Sequence, residues 1–271
     1  MNNVTEIKDI QDPRIAPYRS LKMHHPEKDG LFIAESRPAV MSLLHSDMDI
    51  VSCLTTRDQY EKFSEQAAHI DNKNIQFYLM KKKDIEDVIG FKFHHGIMMA
   101  AKCPERRSVK DLSESWPSPH LLVVMNGIHD PQNVGLITRN AAAFGADTLI
   151  VDENTYEPYY RKVVRISMGS IFKLPVAHEN NLVPVLNGLK NKCSTKIVVT
   201  SLEEGSVSLE EADLSGNLCL VFGNEASGAS KALTDIADLK VRVPHIFSKV
   251  DSLNVACASS ICLYQAYLRR Q

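Results

Sequence analysis

The sequence predicts an α/β protein in two parts: a small N-terminal α/β domain, and a larger C-terminal domain whose mainly parallel sheet is covered by helices on both faces. Three observations carry this expectation. Short apolar runs alternate with helical stretches along most of the chain. After residue 120 the alternation becomes regular, as in sheets whose crossovers are helices. Between the parts lies "CPERRSVKDLSESWPSPH", Cys103 to His120, with three prolines, four serines and mixed charge. Such composition marks a loop. It divides the chain into 1–104, a linker at 105–119, and 120–271.

In the N-terminal part the strand candidates are "LFIAES" (31–36), "IVSCLTT" (50–56), "IQFYLM" (75–80) and "GIMMAA" (96–101). Helical stretches at Arg37–His45 and Arg57–Ala68 separate them. In the C-terminal part the strands are "LLVVMN" (121–126), "TLIVD" (148–152), "IFKLPV" (171–176), "KIVVTS" (196–201), "LCLVFG" (218–223) and "LKVRVP" (239–244). Helices are expected near 132–145, 160–168, 182–191 and 229–237, with a long one from about Ser252 to the end. In an open α/β sheet of this kind a ligand binds at the carboxyl ends of the strands.

The chain has 271 residues, 44% of them hydrophobic, enough to bury two ordinary cores. A net charge of −2 gives no global basic signature, so nucleic-acid contacts must come from local patches. No basic leader precedes an apolar core, and no window approaches the roughly 18 apolar residues of a membrane helix. A cytoplasmic location is expected. The six cysteines are scattered without C-x-x-C and are expected to be reduced and structural. The pairs His24-His25 and His94-His95 point apart in sequence, and no H-E-x-x-H occurs, so no metal site is expected.

Four segments carry candidate chemistry. In "DPQNVGLITRNAAAFGAD" (130–147) a helix with a broad apolar surface has a cation, Arg139, in its middle. "FGNEASGAS" (222–230) is a glycine-bracketed loop that matches neither the dinucleotide fingerprint nor the P-loop. The Glu225 carboxylate would repel phosphate yet tolerate a cationic ligand, and Gly223 lets backbone come close. An ordinary strand-to-helix turn capped by Ser227 or Ser230 also accounts for this loop. In "VPHIFSKVDSLNVACASSICLYQAYLRR", Pro244 ends a strand, His245 to Asp251 form a loop, and Ser252 is the expected N-cap. The helix that follows is apolar over more surface than one sheet face needs. It packs either against a second subunit or inside its own domain. In "YYRKVVRISMGSIF" (159–172), Arg161 and Arg165 share a helix face beside Lys162, which suits phosphate contact as well as simple solvation. Arg19 and Lys22, with Tyr18, form another basic group.

Taken in order, "NVGLITRN", "LVFGNEASGAS" and "VPHIFSKVDSLNVACASSICLYQ" resemble the three signature motifs of the SpoU/TrmH branch of the SPOUT methyltransferases. The intervening "RKVVRISMGSIFKLPV" is similar to that family's sequence between its first and second motifs, so the resemblance covers about His120 to Gln271. "FIAES" and "FHHGIMMAA" are similar to the small RNA-binding α/β domain that many members carry.

The resemblance implies methylation of a ribose 2′-hydroxyl in structured RNA, with S-adenosyl-L-methionine as methyl donor. It also implies a homodimer paired through the C-terminal domain and a deep trefoil knot, which hydrophobic periodicity cannot suggest. A separate N-terminal domain and no extension past the last helix favour rRNA over tRNA. The first motif carries over Asn133, Gly135 and Arg139; the second, Gly223, Asn224, Glu225 and Gly228; the third, Pro244, Ser252, Leu253 and Asn254. Expected catalytic residues are Arg139, Asn133, Glu225, Ser252 and Asn254. Expected cofactor contacts are Thr200, Ser201, Leu202, Phe222, Gly223, Val243, His245, Ile246 and Leu253. Expected RNA contacts are Arg161, Lys162, Arg165, Arg19 and Lys22. The family usually has Met and then Gly after the third-motif proline, with one residue fewer before the serine. Here His245 and Phe247-Ser248 stand instead, which implies a reshaped adenine pocket.

Methyl transfer from sulfonium to oxygen is an in-line displacement that also requires loss of the hydroxyl proton. Arg139 has two possible roles. A transiently neutral guanidinium in a dry pocket takes the proton, or a charged one fixes a phosphate and stabilises the developing alkoxide. A dinucleotide enzyme is the poorer alternative because its fingerprint is missing. A non-catalytic RNA-binding or ribosome-assembly protein on the same fold would fit the altered third motif.

Overall fold

Five strands build the first sheet: β1 (Asn3–Glu6), β2 (Leu31–Glu35), β3 (Ile50–Thr55), β4 (Gln76–Leu79) and β5 (Ile97–Lys102), in the order β1-β4-β3-β5-β2. They belong to a computed structural model that describes residues 3–19, 21, 26, 30–67 and 75–270. β1 reads NVTE, too polar to announce itself as a strand, and it exists because residues 3–6 pair in parallel with residues 76–79. β3 runs parallel to β4 and antiparallel to β5, while β2 runs antiparallel to β5, so the sheet is mixed. The helices α1 (Arg37–Leu44), α2 (Arg57–Ala67) and α3 (Lys82–Ile89) accompany it. Ile15, Ile33, Leu54, Ile85 and Ile89 are wholly buried in its core beside Tyr18. The Tyr18 hydroxyl lies 2.9 Å from Ser52 Oγ and accepts from the Ala100 amide, so this buried polar group is satisfied. The segment Glu157–Lys173 clusters with these residues as one unit.

The second unit, Glu105–Tyr156 with Leu174–Gln271, contains seven strands in one sheet. They are β6 (Leu121–Asn126), β7 (Thr148–Asp152), β8 (Val176–Glu179), β9 (Lys196–Thr200), β10 (Val207–Ser208), β11 (Leu218–Gly223) and β12 (Leu239–Arg242). The order is β10-β12-β9-β11-β6-β7-β8, and every pairing is parallel. Continuous runs such as Leu121–Met125 and Leu218–Phe222 are buried throughout, as strands covered on both faces must be. The principal helices are α4 (Pro131–Ala143), α5 (Leu182–Cys193), α6 (Lys231–Ile236) and α7 (Val255–Arg269). α4 starts where its signals place it, with Pro131 in the first turn and the Asp130 carboxylate accepting from the Gln132 amide at 2.8 Å.

Four sequence expectations change. The run "IFKLPV" is not a strand: Ser170–Lys173 form a 3-10 turn, and β8 begins only at Val176. A short apolar run fixes burial but not backbone shape, and Ile171 is buried in the turn. The segment Glu157–Lys173, assigned by sequence to the C-terminal domain, falls in the first unit. Residues 105–119 are not a linker but part of the second unit. Val109 and Leu112 enter its core, and Trp116 Nε1 donates to Thr148 Oγ1 at 2.7 Å. Finally, α7 starts at Val255, not Ser252. Asn254 is its N-cap, its side-chain oxygen accepting from the amides of Ala256 and Cys257.

Candidate active site

β12, β9 and β11 are neighbours in a parallel sheet, so the loops leaving Thr200, Gly223 and Arg242 emerge along one edge. They enclose a cavity of about 430 Å³, within the roughly 300–1,000 Å³ of small-molecule sites. Another hollow, of about 520 Å³, opens where β9 begins. Its lysines are already paired, Lys190 with Asp238 at 2.8 Å and Lys196 with Asp213 at 2.5 Å. The cavity at the carboxyl edge, lined by the motif loops, is the candidate site.

The second-motif loop is held by a short set of bonds. A Cβ at Gly223 would lie 1.9 Å from the Ala229 amide nitrogen, because the loop folds directly back over this residue. No side chain fits there. Asn224 accepts from the amides of Ala226 and Ser227 through Oδ1 and donates through Nδ2 to the Gly127 carbonyl at 2.8 Å. The Ser230 amide donates to Asn126 Oδ1, and Asn126 Nδ2 donates to Asp152 at 2.6 Å. Asp152 also accepts from the Gly127 amide and the Thr155 hydroxyl. Asn126 and Asp152 thus fix the loop from beneath. Their signal in the sequence is a polar residue closing an otherwise apolar strand.

A second set of bonds ties all three motifs together. Asn254 Nδ2 donates to Asn133 Oδ1 at 3.0 Å, and Asn133 Nδ2 donates to Glu225 Oε1 at 2.6 Å. The helix cap fixes the direction of this relay. With Asn254 Oδ1 occupied by two amides, only its NH₂ faces Asn133, which must present its oxygen there and its NH₂ to Glu225. Asn133 is buried, whereas Glu225 and Asn254 open onto the cavity.

Of the expected cofactor contacts, Thr200, Ser201, Leu202, Gly223, Val243, His245 and Leu253 line the cavity. Phe222 does not, because it is fully buried in the sheet, and Ile246 points to solvent. Glu225, Ser252 and Asn254 line it; Asn133 lies behind them. Arg139 is exposed on α4 and outside the cavity lining, so its apolar neighbours do not enclose it. His245 donates from Nδ1 to the Val243 carbonyl at 2.9 Å, which leaves Nε2 as an acceptor; that atom is buried and has no partner among the described residues.

The expected RNA contacts are placed differently. In the first unit, Arg161 and Arg165 both bond the Glu35 carboxylate, at 2.6 and 2.7 Å, and Glu35 is 1% exposed. Arg161 also lies 4.5 Å over the Phe91 ring. It is 14% exposed, so burial and pairing leave it little access to a phosphate, while Arg165 remains 40% exposed. Arg19 donates to the carbonyls of Ile10 and Asp12, stapling a loop. Lys22 lies outside the described residues. Among the described residues no group of three His, Cys, Asp or Glu side chains could hold a metal ion.

The model of the SpoU rRNA methylase family matches residues 120–264. The chain belongs to this family. The match contains all three motif loops, the relay and Arg139, and it places the chain in the SpoU/TrmH branch of the SPOUT methyltransferases. Among relatives, a 23S rRNA (guanosine-2′-O-)-methyltransferase RlmB of Xylella fastidiosa is 30% identical over 202 residues, covering 73% of this chain and 80% of that protein. An uncharacterized tRNA/rRNA methyltransferase of Mycobacterium bovis is 27% identical, covering 97% of this chain and 91% of that one. A solved AdoMet-bound rRNA methyltransferase from Sinorhizobium meliloti superposes with a TM-score of 0.80 at 25% identity, covering 97% of both chains.

Proposed function

We propose that this protein methylates a ribose 2′-hydroxyl of ribosomal RNA, taking the methyl group from S-adenosyl-L-methionine. The observation that carries the proposal is the Asn254–Asn133–Glu225 relay, which joins residues of all three family motifs at one cavity.

The residues present fit the cofactor. The cavity has suitable volume, a carboxylate at Glu225, apolar side chains at Leu202, Val243 and Leu253, and at Gly223 a backbone cradle that a Cβ would fill. When bound, S-adenosyl-L-methionine supplies an electrophilic methyl group on a sulfonium centre. The chain supplies the rest. Thr200, Ser201, Leu202, Gly223, Val243, His245 and Leu253 bind and orient. Glu225, held by Asn133, complements positive charge, and Ser252 and Asn254 offer hydrogen bonds at the mouth. Positioning of this kind supplies several kcal/mol of a barrier, up to roughly 7–11.

Arg139 either removes the hydroxyl proton or, keeping its charge, fixes the neighbouring phosphate and stabilises the alkoxide. Its exposure in a single chain favours the second role, since the guanidinium fork on an open surface can reach a phosphate. A homodimer through the C-terminal domain is part of the proposal. Ile261, Tyr264 and Leu268, three and four residues apart on α7, expose apolar surface that a second copy would cover. So is the trefoil knot, to which the convergence of the β9, β11 and β12 loops lends support. The N-terminal unit is assigned to RNA binding, with Lys162, Arg165 and Arg19 as contacts and Arg161 fixing Arg165 through Glu35. The proposed compartment is the cytoplasm; among the described residues no helix is long and apolar enough to cross a membrane.

The test is transfer of tritium from methyl-labelled S-adenosylmethionine to unmodified ribosomal RNA, followed by alkaline hydrolysis. Label in alkali-resistant dinucleotides is the expected result. Cofactor binding without any label in RNA would replace catalysis by the non-catalytic RNA-binding reading.

A further inference from the structure

We propose that Asp152 is a positioning residue for methyl transfer: its carboxylate holds both ends of the second-motif loop and thereby sets where Glu225 stands. This role rests on the function proposed above and adds to it a residue of β7 that belongs to none of the three motifs.

Asp152 closes β7, which only β6 separates from β11. It does not line the cavity and is 8% exposed. A carboxylate is costly to bury unless donors surround it, and hydrogen bonds to it are stronger than those between neutral groups. Two branches run from this one to the loop. The Gly127 amide donates to Asp152 Oδ1 at 3.0 Å, and the Gly127 carbonyl accepts from Asn224 Nδ2 at 2.8 Å. Asn224 Oδ1 in turn accepts from the amides of Ala226 and Ser227. On the other branch, Asn126 Nδ2 donates to Asp152 Oδ2 at 2.6 Å, and Asn126 Oδ1 accepts from the Ser230 amide at 2.8 Å. Glu225 lies between these two anchored ends and accepts from Asn133 Nδ2 at 2.6 Å.

The order of donors and acceptors requires an acid at position 152. The Ser230 amide can only donate, so Asn126 gives it an oxygen and turns its NH₂ to Asp152 Oδ2. The Gly127 amide can also only donate, and it occupies Oδ1. Both oxygens must therefore accept, and only a carboxylate has two. Asparagine at 152 would keep its oxygen on Gly127 and set its NH₂ against that of Asn126. A network left half-satisfied in this way loses the alignment it was holding.

Three variants of the full chain test the role: Asp152→Asn, Asn126→Asp, and the two combined. The first opposes two NH₂ groups and the second opposes two carboxylates. The combination restores the order, because the new carboxylate at 126 accepts both from Ser230 and from the new amide at 152. Methyl transfer to ribosomal RNA is measured at saturating S-adenosylmethionine, with a thermal midpoint for each protein. Each single variant should lower kcat roughly 10- to 100-fold, as for a misplaced group in the site. KM for RNA should stay within about twofold, since no RNA contact is removed. The combined variant should exceed either single one by about tenfold. A combined variant no faster than the single ones, folded or not, would overturn the proposal. So would Asp152→Asn with a lowered midpoint and unaltered kcat, which would leave Asp152 a support of the fold alone and the proposed function standing. If the unaltered protein transfers no methyl group, that function fails, and the role of Asp152 falls with it.

Discussion

Asn133 Oδ1 accepts from Asn254 Nδ2 at 3.0 Å across 121 residues of sequence, and the cap of α7 dictates the direction of that bond. Asn254→Asp tests this coupling. Aspartate caps a helix as well as asparagine, so the thermal midpoint should stay within about 2 °C. The new carboxylate faces an amide oxygen, however, and forces Asn133 to turn its own oxygen toward Glu225. Methyl transfer should fall roughly 10- to 100-fold, as expected for misplacement of a group in the site. Melting curves and initial rates on the same preparation separate the two effects.

Gly223 is required for space. In Gly223→Ala the new methyl meets the backbone of Gly228 and Ala229, which cannot rotate away as a side chain would. The loop must shift, at a cost of about 1–3 kcal/mol or more. Differential scanning calorimetry should show a lowered midpoint and no stabilisation by S-adenosylhomocysteine.

Arg161 and Arg165 neutralise a buried Glu35, so Arg161→Ala should behave first as a stability defect. Leaving that carboxylate without its more buried partner costs about 3–5 kcal/mol. Arg165→Ala, at the more exposed position, should cost about 1 kcal/mol or less. Urea titrations of both variants decide the order, and Arg161→Ala combined with Glu35→Ala should regain part of the loss.

Burial lowers the pKa of His120 below the ordinary imidazole value, with Thr195 Oγ1 at 2.8 Å from Nε2. The unfolded chain therefore takes up a proton more readily than the folded one. The contribution of His120 to stability is complete above about pH 6.5 and is lost as the pH falls toward the lowered folded-state value, with a slope no steeper than about 1.4 kcal/mol per pH unit. Urea midpoints should decline over that interval, and His120→Gln should flatten the decline.

Arg139 is exposed, so Arg139→Ala should change stability by no more than about 0.5 kcal/mol. Methyl transfer should nevertheless disappear. Arg139→Lys separates the two proposed roles: substantial activity that rises with pH would speak for proton removal, because a lysine loses its proton more readily than an arginine.

The motif loops are legible from sequence because their chemistry is local: glycine where backbone folds on backbone, asparagine or aspartate where a helix begins. Ser252 shows the limit. It is a good capping residue two positions before a better-placed one, and only the closure of Asn254 on both α7 and Asn133 decides between them. Arg161 and Arg165 look in sequence like a phosphate-binding face. Their partner is Glu35, 126 and 130 residues away, and no local pattern records it.

Apolar periodicity by itself determined that this chain forms parallel, doubly covered strands, since burial on both faces requires unbroken runs such as "LLVVM" and "LCLVF". Residue order also determined the family, through three motifs in succession. The tertiary structure alone decided that "IFKLPV" turns before it pairs, that Val109 and Leu112 enter a core, and that Arg139 faces solvent in the single chain. The physical reason is common to all three. Hydrophobicity specifies that a group leaves water, whereas the partner it meets depends on which distant segments the sheet order brings to the same edge.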